Sequence, residues 1–186
     1  IKLKGLLLTE GMHGMISQVE GLAKALDLDF IHEKIELNNF WKLFPPKLTP
    51  VSSNVYKKVV SSDFDVIISC GRKSVIPSIF LKKKNPKLFT IHIQNPKVDP
   101  KNFDAVVAPM HDKFYGPNVY KSEGAIHYIT YEEIQAAKNY LADKIKSKKI
   151  VSIILCVPNI FYSFNNNQLI EIFSSIKSNF IGNGYE

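Results

Sequence analysis

Polar side chains that could bind or activate a ligand are concentrated where the sequence predicts strands to end. The first group lies in the loop "TEGMHG", which follows a predicted strand over Leu3–Thr9 and contains Gly11, His13 and Gly14. Glycines there let the backbone turn sharply and let a ligand approach closely, and the helix that follows offers N–H groups to an anion. The spacing is not that of a dinucleotide-binding GxGxxG motif, so an ordinary structural turn is the alternative.

A second glycine turn, in "SCGRKSVIPS", follows the continuous apolar run "FDVIISC". Such a run is typical of a strand that is covered on both faces, and open α/β sheets bind ligands at the carboxyl ends of their strands. Gly71 would form this turn, and the side chains of Arg72 and Ser74 suit a phosphate or a carboxylate. The alternative is a turn with a solvent-facing arginine.

A third group lies in "IHIQNP", where His92 and Gln94 fall on one face of a strand and Asn95 begins the turn. All three are candidate ligand-binding residues, because they come at the carboxyl end of the strand. A single histidine in such a place is more often a hydrogen-bonded core residue than a catalytic one.

A fourth group, His111, Asp112 and Asn118, lies in a long loop after the predicted strand "FDAVVAP". Loops of this length inside a compact domain are often functional, so these are its polar candidates for ligand binding. No histidine or carboxylate pair has a metal-ligand spacing, and we expect neither a metal site nor a cofactor. The cysteines, Cys70 and Cys156, lack an evident activating base and indicate a reducing compartment.

The predicted elements that position these groups alternate between strands and helices. Apolar residues at helical spacing follow the first glycine loop, "LDFIHEKIEL" alternates as a second strand, and "NNFWKLFPPKLTP" predicts a loop. We further expect a short helix in "SNVYKKVVSS", a short strand at 126–130, and a helix after Thr130, which forms a capping box with Glu133. This alternation predicts an α/β fold with a Rossmann-like, doubly wound parallel sheet.

The composition of the 186 residues, 45% hydrophobic and 22% charged, is typical of a globular protein. The formal net charge of +7 favours anionic partners such as phosphates or an acidic membrane, whereas lysines on solvated helix ends are the alternative. Nucleic acid ranks last, because no helix-turn-helix, zinc or RNA-recognition pattern is present. We expect a cytoplasmic protein, with peripheral contact to an anionic membrane surface as a further option.

Several sequence blocks together resemble the mitochondrial-fission (elongated mitochondria) family. They are, in order, "GMHGMISQVEGLAKAL", "GRKSVIPSIFLKK", "FTIHIQNPKVDPKNFDAVVAPMHD", "GPNV" and "GAIHYIT". The resemblance covers essentially the whole chain, with Asn95 in place of an aspartate that members often have. Plant members of this family are implicated in mitochondrial division through recruitment of a dynamin-like protein, which implies a non-enzymatic module at a membrane surface as one reading.

The same family is similar to two-domain glycosyltransferases of the GT-B type, including the peptidoglycan N-acetylglucosaminyltransferase. That similarity implies a Rossmann-like acceptor-side domain over residues 1–148, with a sugar acceptor or a nucleotide-sugar as ligands of the complete form. The residues that would line its cleft are Gly11, His13, Gly14, Arg72, His92, Gln94 and Asn95. If the complete enzyme uses a general base there, the position of His13 in the first loop makes it the candidate.

Residues 149–186 resemble only the start of a second Rossmann-like domain, with the strand "KIVSIILC" and the helix "NNQLIEIFSSIKSNF". Family members have glycines and a basic residue in the loop between them, where this chain has Cys156, Val157 and Ile160-Phe161. The resemblance therefore implies a truncated member that is inactive alone. A single strand and helix are not stable by themselves, so we expect them to pack on the first domain, to pair with a second polypeptide, or to stay mobile with exposed apolar faces.

Overall fold

A computed structural model of the chain describes residues 2–57, 63–140, 149–155, 163, 165–183 and 185. The chain divides into two compact units, Ile1–Ile129 and Thr130–Glu186. The domain boundary predicted at 148–149 adjoins residues outside the described ranges, and it stays a prediction.

The first unit is built on a six-stranded sheet in which every pair of neighbouring strands is parallel. The spatial order is β2-β1-β3-β4-β5-β6. The predicted α/β fold with a parallel, Rossmann-like sheet is therefore confirmed. The strands are β1 (Lys4–Thr9), β2 (Asp29–Lys34), β3 (Val66–Cys70), β4 (Phe89–Ile93), β5 (Ala105–Pro109) and β6 (Val119–Ser122).

Two helices, α1 (His13–Ala25) and α2 (Val75–Lys84), cover opposite faces of this sheet. Successive residues of a strand point to opposite faces, so each strand contributes to two apolar layers. Val19 and Ala23 of α1 belong to the layer that contains Leu7 and Ile68. Ile76 and Ile79 of α2 belong to the other layer, with Leu6 and Ile67. Because both faces are covered, β3 is buried along its whole length, as its unbroken apolar sequence predicts.

The described part of the segment between β2 and β3 contains short single turns rather than helices or strands. Three 3-10 turns lie at Trp41–Leu43, Pro46–Leu48 and Ser53–Val55. Prolines 45, 46 and 50 lack the backbone donors that regular structure needs, so the predicted loop is confirmed. The short helix predicted in "SNVYKKVVSS" is wrong where the structure describes it, because Ser53–Val55 forms a single 3-10 turn and the extended Tyr56 pairs with Leu37 instead; residues 58–62 lie outside the described ranges.

Three expectations about strands are wrong, two of them between residues 110 and 130. Val119–Ser122 forms the edge strand β6 inside the segment predicted as one long loop, because its backbone pairs with β5. The stretch expected as a strand at 126–130 is irregular. Half-exposed, short edge strands carry little hydrophobic signal, which explains the first error.

The second unit contains α3 (Tyr131–Ala137) and α4 (Asn166–Asn179). The predicted capping box between Thr130 and Glu133 is present, and Asn165 with Gln168 forms another at the start of α4. Residues 149–155, expected to be a strand, are irregular and largely exposed, and the described part of this unit holds no strand for them to pair with. No helix within the described ranges is long and apolar enough to cross a membrane.

Candidate functional site

The loops after β1 and β3 form the topological switch point of the sheet. The chain leaves β1 toward α1 on one face and leaves β3 toward α2 on the other. Such a divergence opens a crevice at the carboxyl edge, where ligands of open α/β sheets bind. The sequence groups predicted to bind ligands after β1, β3 and β4 therefore lie along one edge.

Glu10 and Lys73 join the first two of these loops. One carboxylate oxygen of Glu10 accepts a hydrogen bond of 3.0 Å from the backbone N–H of Lys73, and the other lies 2.7 Å from its Nζ atom. Their side chains are 14% and 31% exposed, so the pair is largely shielded from water. Sequence analysis missed this pair, although Glu10 stands directly before the glycine loop that it did identify.

Gly71 allows the two loops to approach closely. Its φ of +95° lies in a region that L side chains rarely adopt. A Cβ atom there would lie 2.7 Å from the sulfur of Met15 and 3.2 Å from Oε1 of Glu10. A glycine is therefore required by the backbone conformation, and a larger residue would also displace the side-chain ends of Met15 and Glu10.

Five predicted site residues line one cleft of about 240 Å³ beside the switch point. An adjoining groove of about 560 Å³ shares Asn95 and Lys97 with it and extends to Lys47. A larger cavity of about 780 Å³, which we call the amino-edge cavity, lies at the amino ends of β1, β3 and β4. This edge is opposite to the one that binds ligands in this architecture. The lining of the small cleft, which we call the carboxyl-edge cleft, is Gly71, Arg72, His92, Gln94, Asn95, Pro96 and Lys97.

His92 is the most deeply buried polar residue of the carboxyl-edge cleft, with 1% of its surface exposed. Its Nδ1 atom lies 2.8 Å from Oγ of Ser69, and its ring stacks at 5.0 Å from that of Phe103. Burial lowers the pKa of His92 to about 3, so the imidazole is neutral at physiological pH. Its Nε2 atom makes no hydrogen bond with the described residues, which leaves this nitrogen for a group in the cleft.

The turn after β4 is held by a backbone bond to β5 and by the side chain of Asn95. The N–H of Gln94 donates to the carbonyl of Val107 at 2.7 Å, and Oδ1 of Asn95 accepts from the N–H of Lys97 at 2.9 Å. Gln94 and Lys97 have φ values of +80° and +59°. Non-glycine residues are rare in this region and often mark functional sites, because the strain must be offset elsewhere.

Arg72 and Ser74, the other residues predicted after β3, have different surroundings. The exposed Arg72 donates from Nη2 to the carbonyl of Lys42 at 3.0 Å, which ties the carboxyl-edge cleft to the segment between β2 and β3. Ser74 is fully buried, and its hydroxyl donates to the carbonyl of Gly71 at 2.8 Å. The hydroxyl of Ser74 thus braces the turn, and its binding role stays a prediction.

The first glycine loop leads directly into α1. Gly11 has a φ of +87° and donates its N–H to Oγ1 of Thr9, which also lies 2.8 Å from Nε2 of His32. His13 is the exposed first residue of α1, whose N-terminus has no side-chain cap and no acidic residue in its first turn. A Cβ atom at Gly14 would meet nothing within 4 Å. The roles predicted for these residues stay untested.

The residues predicted after β5 do not line the carboxyl-edge cleft. His111 and Asp112 lie on the surface, with Nε2 and Oδ1 3.9 Å apart. Asn118 donates from Nδ2 to the carbonyls of Pro100 and Phe103 at 2.9 and 2.8 Å, and its Oδ1 is buried without a partner. Asn118 therefore braces the start of β6, and the ligand contacts predicted for all three stay predictions.

Metal and thiol chemistry have little support in the described residues. They contain no group of three or more histidine, cysteine or acidic side chains that could hold a metal ion. Burial, with a smaller contribution from the charge of Glu10, raises the pKa of Cys70 to about 12. Its thiol is therefore protonated and a poor nucleophile. Cys156 lies outside the described ranges.

The family model described as Mitochondrial fission ELM1 matches residues 13–185. No curated protein and no solved structure matches the chain. The matched residues extend over both compact units.

Proposed function

The chain belongs to the mitochondrial fission ELM1 family, and from that premise we propose that its first unit binds a phosphorylated sugar in the carboxyl-edge cleft. In this role the unit acts as the acceptor side of a glycosyltransferase-like protein. The observation that carries the proposal is the convergence of Gly71, Arg72, His92, Gln94 and Asn95 on one cleft from two strand ends.

The chemistry of the lining matches such a ligand. A neutral imidazole and two side-chain amides exchange hydrogen bonds with sugar hydroxyls without placing a fixed charge beside them. Arg72 and Lys97 supply positive charge for a phosphate at the rim. A hydroxylated ligand with one anionic group satisfies both kinds of lining residue.

The similarity of the family to GT-B enzymes supports a transfer reaction at the level of fold analogy. In such a reaction an acceptor hydroxyl attacks the anomeric carbon of a nucleotide-sugar, the nucleoside diphosphate leaves, and a general base takes the hydroxyl proton. His13, exposed at the start of α1, is the base in this scheme. Acceptor binding, rather than turnover, is the activity proposed for this chain alone.

The test is a titration of the ¹⁵N-labelled chain with N-acetylglucosamine 1-phosphate, followed by NMR. We expect shifts at the backbone amides of Gly71, Gln94 and Asn95 and at the ring nitrogens of His92. Gln94→Ala should weaken binding by about tenfold through loss of one or two buried hydrogen bonds, whereas the exposed His111→Ala should not. Shifts confined to the amino-edge cavity, or absent altogether, would refute the proposal.

A second candidate function is a non-enzymatic module at a membrane surface. It is favoured by the segment 37–62, which contains four lysines and no acidic residue. The two functions separate in one comparison, because a pure surface module binds anionic vesicles and leaves the His92 signals unchanged by the sugar phosphate.

A further inference from the structure

Apolar side chains project into solvent from the segment between β2 and β3. Phe40 is 62% exposed, Leu43 81% and Leu48 66%. Single exposed apolar residues are ordinary, but three within nine positions form a local patch. The patch lies on two 3-10 turns, Trp41–Leu43 and Pro46–Leu48.

Aromatic contacts and prolines hold this patch in place. The rings of Phe40 and Trp41 are 4.9 Å apart, and those of Phe40 and Phe44 are 5.1 Å apart. Trp41 packs against the buried layer beneath α2, and Pro46 is buried. Because Trp41 and Pro46 anchor the inner side of the segment, the segment does not rearrange locally to bury its exposed side chains.

Lysines accompany the patch in the sequence. Lys42 and Lys47 lie within it, Lys57 and Lys58 follow along the chain, and residues 37–62 contain no Asp or Glu. Aromatic and leucine side chains interspersed with lysines are typical of segments that lie in the interface of an anionic bilayer. Glu36, just before this segment, pairs with Lys57 at 3.2 Å, so Lys42 and Lys47 are the lysines of the patch that remain to complement anionic headgroups.

We propose that Phe40–Leu48, which we call the docking loop, inserts its exposed apolar side chains into the surface of an anionic lipid bilayer. Phe40, Leu43 and Leu48 enter the headgroup region, and Lys42 and Lys47 contact the phosphates. The free energies of apolar insertion and of lysine attraction to the phosphates add. Stable peripheral binding generally needs two such contributions.

The docking loop is connected to the carboxyl-edge cleft. The carbonyl of Lys42 accepts the hydrogen bond from Arg72, and Phe44 and Pro46 border a small pocket with Arg72 and Lys73. Docking would therefore hold the cleft near the membrane, so that the bound sugar is one carried by a lipid. This last step rests on the proposed function, whereas docking itself does not require a sugar ligand.

The chain provides its own probe, because Trp41 is the single tryptophan of the sequence and lies within the docking loop. We expect its fluorescence to shift to shorter wavelength with vesicles of phosphatidylcholine and phosphatidylglycerol in equal parts. Brominated lipids should quench it, and phosphatidylcholine alone should have little effect. If the protein floats with the mixed vesicles while brominated lipids leave Trp41 emission unquenched, another surface binds and the proposal is wrong.

Two matched pairs of variants test the contacts in vesicle flotation with the full chain. Leu43→Ser/Leu48→Ser should lower vesicle affinity by about tenfold through lost apolar insertion. Leu3→Ser/Leu26→Ser, which changes exposed leucines at the amino-edge cavity, should not lower it. Equal losses in both pairs, or no loss in the first, would overturn the proposal.

The charge pair is Lys42→Gln/Lys47→Gln against Lys83→Gln/Lys84→Gln, two exposed lysines in the last turn of α2. Both variants remove two positive charges, so a vesicle affinity that depends on net charge alone would fall equally in the two. We expect about a fivefold loss per lysine in the docking loop and little loss in α2. A phosphorylated-sugar titration by NMR on the same docking-loop variants should be unchanged, which separates failure of docking from failure of the cleft.

Discussion

Ser69 and His92 meet side by side in the sheet, where β3 and β4 pair, with Oγ of Ser69 2.8 Å from Nδ1 of His92. Both residues are almost completely buried, so neither can exchange this bond for water. Because Nδ1 is occupied, Nε2 is the nitrogen that remains for the carboxyl-edge cleft. The serine therefore orients the imidazole that the proposed function uses.

Ser69→Ala should destabilise the protein by about 1–3 kcal/mol, because one buried nitrogen of His92 loses its partner. The measurement is urea unfolding, with histidine ¹⁵N shifts to follow the tautomer of His92. Ser78→Ala is the matched control, since Ser78 is equally buried but its hydroxyl has no partner. We expect that variant to be neutral or slightly stabilising. Equal effects in the two variants would show that the Ser69–His92 bond contributes nothing specific.

Gly71→Ala should destabilise by about 2 kcal/mol or more, from the left-handed backbone and the overlap with Met15. Gly14→Ala should instead stabilise by about 0.5–1 kcal/mol, because Gly14 lies in α1 with open space at the Cβ position. If these conformations are right, thermal unfolding gives a lower Tm for Gly71→Ala and a higher Tm for Gly14→Ala than for the parent chain. A destabilised Gly14→Ala would indicate a contact at α1 that the structure does not contain.

Stability should fall as the pH drops below the ordinary histidine pKa of about 6.5. The unfolded state takes up a proton there, whereas folded His92, with its pKa lowered to about 3 by burial, does not. The free energy of unfolding contributed by His92 is therefore fully present above pH 6.5 and decreases by up to about 1.4 kcal/mol per pH unit below it.

The measurement is urea unfolding between pH 7.5 and 4.5 for the parent chain and for His92→Gln, which keeps a polar partner for Ser69. We expect the slope of stability against pH to flatten in this variant. The exposed His111→Gln should leave the slope as it is. An unchanged slope in His92→Gln would mean that another group causes the dependence.

Asp104 anchors the end of α2 to the start of β5. Its carboxylate accepts from Lys82 at 2.8 Å and from both the N–H and the hydroxyl of Thr90. Burial raises the pKa of Asp104, but the hydrogen bonds from Lys82 and Thr90 outweigh it and hold the pKa below its ordinary value. The stabilisation is thus present above about pH 4 and is lost as pH falls through the folded pKa.

Asp104→Asn should cost about 1–3 kcal/mol at pH 7 and weaken the acid dependence below pH 4. Glu36→Gln removes the exposed pair with Lys57 and should have little effect on urea unfolding. If both variants behave alike, the partial burial of the Asp104 network does not matter for stability.

The strand ends were the part of the site that sequence reasoning could place. Buried strands such as β3 have unbroken apolar runs, and in a parallel sheet their carboxyl ends meet at one edge. Arg72, His92, Gln94 and Asn95 could be assigned to one cleft before their contacts were known. The residues assigned with them from the first loop, Gly11, His13 and Gly14, do not line the carboxyl-edge cleft.

Long-range side-chain pairs could not be placed in the same way. Glu10 and Lys73 are 63 positions apart, and their contact depends on how α1 and α2 diverge. The edge strand β6 was missed because backbone pairing with β5, rather than apolar patterning, defines it. The strand expected at 149–155 had the right composition, yet composition alone does not supply a neighbouring strand.

The Glu10–Lys73 pair has a consequence for which ligands the switch point accepts. The first N–H groups of a helical turn attract anions, and in this chain a carboxylate from the same protein already takes that hydrogen bond. A phosphate entering from solution competes with the carboxylate of Glu10, which belongs to the same chain. The effective concentration of that carboxylate is in the millimolar range or higher, roughly that of two groups on a short linker. In the turn after β3 the chain's own carboxylate thus takes the place of a bound anion, whereas the N-terminus of α1, the first βα turn that binds pyrophosphate in dinucleotide-binding folds, has no side-chain cap.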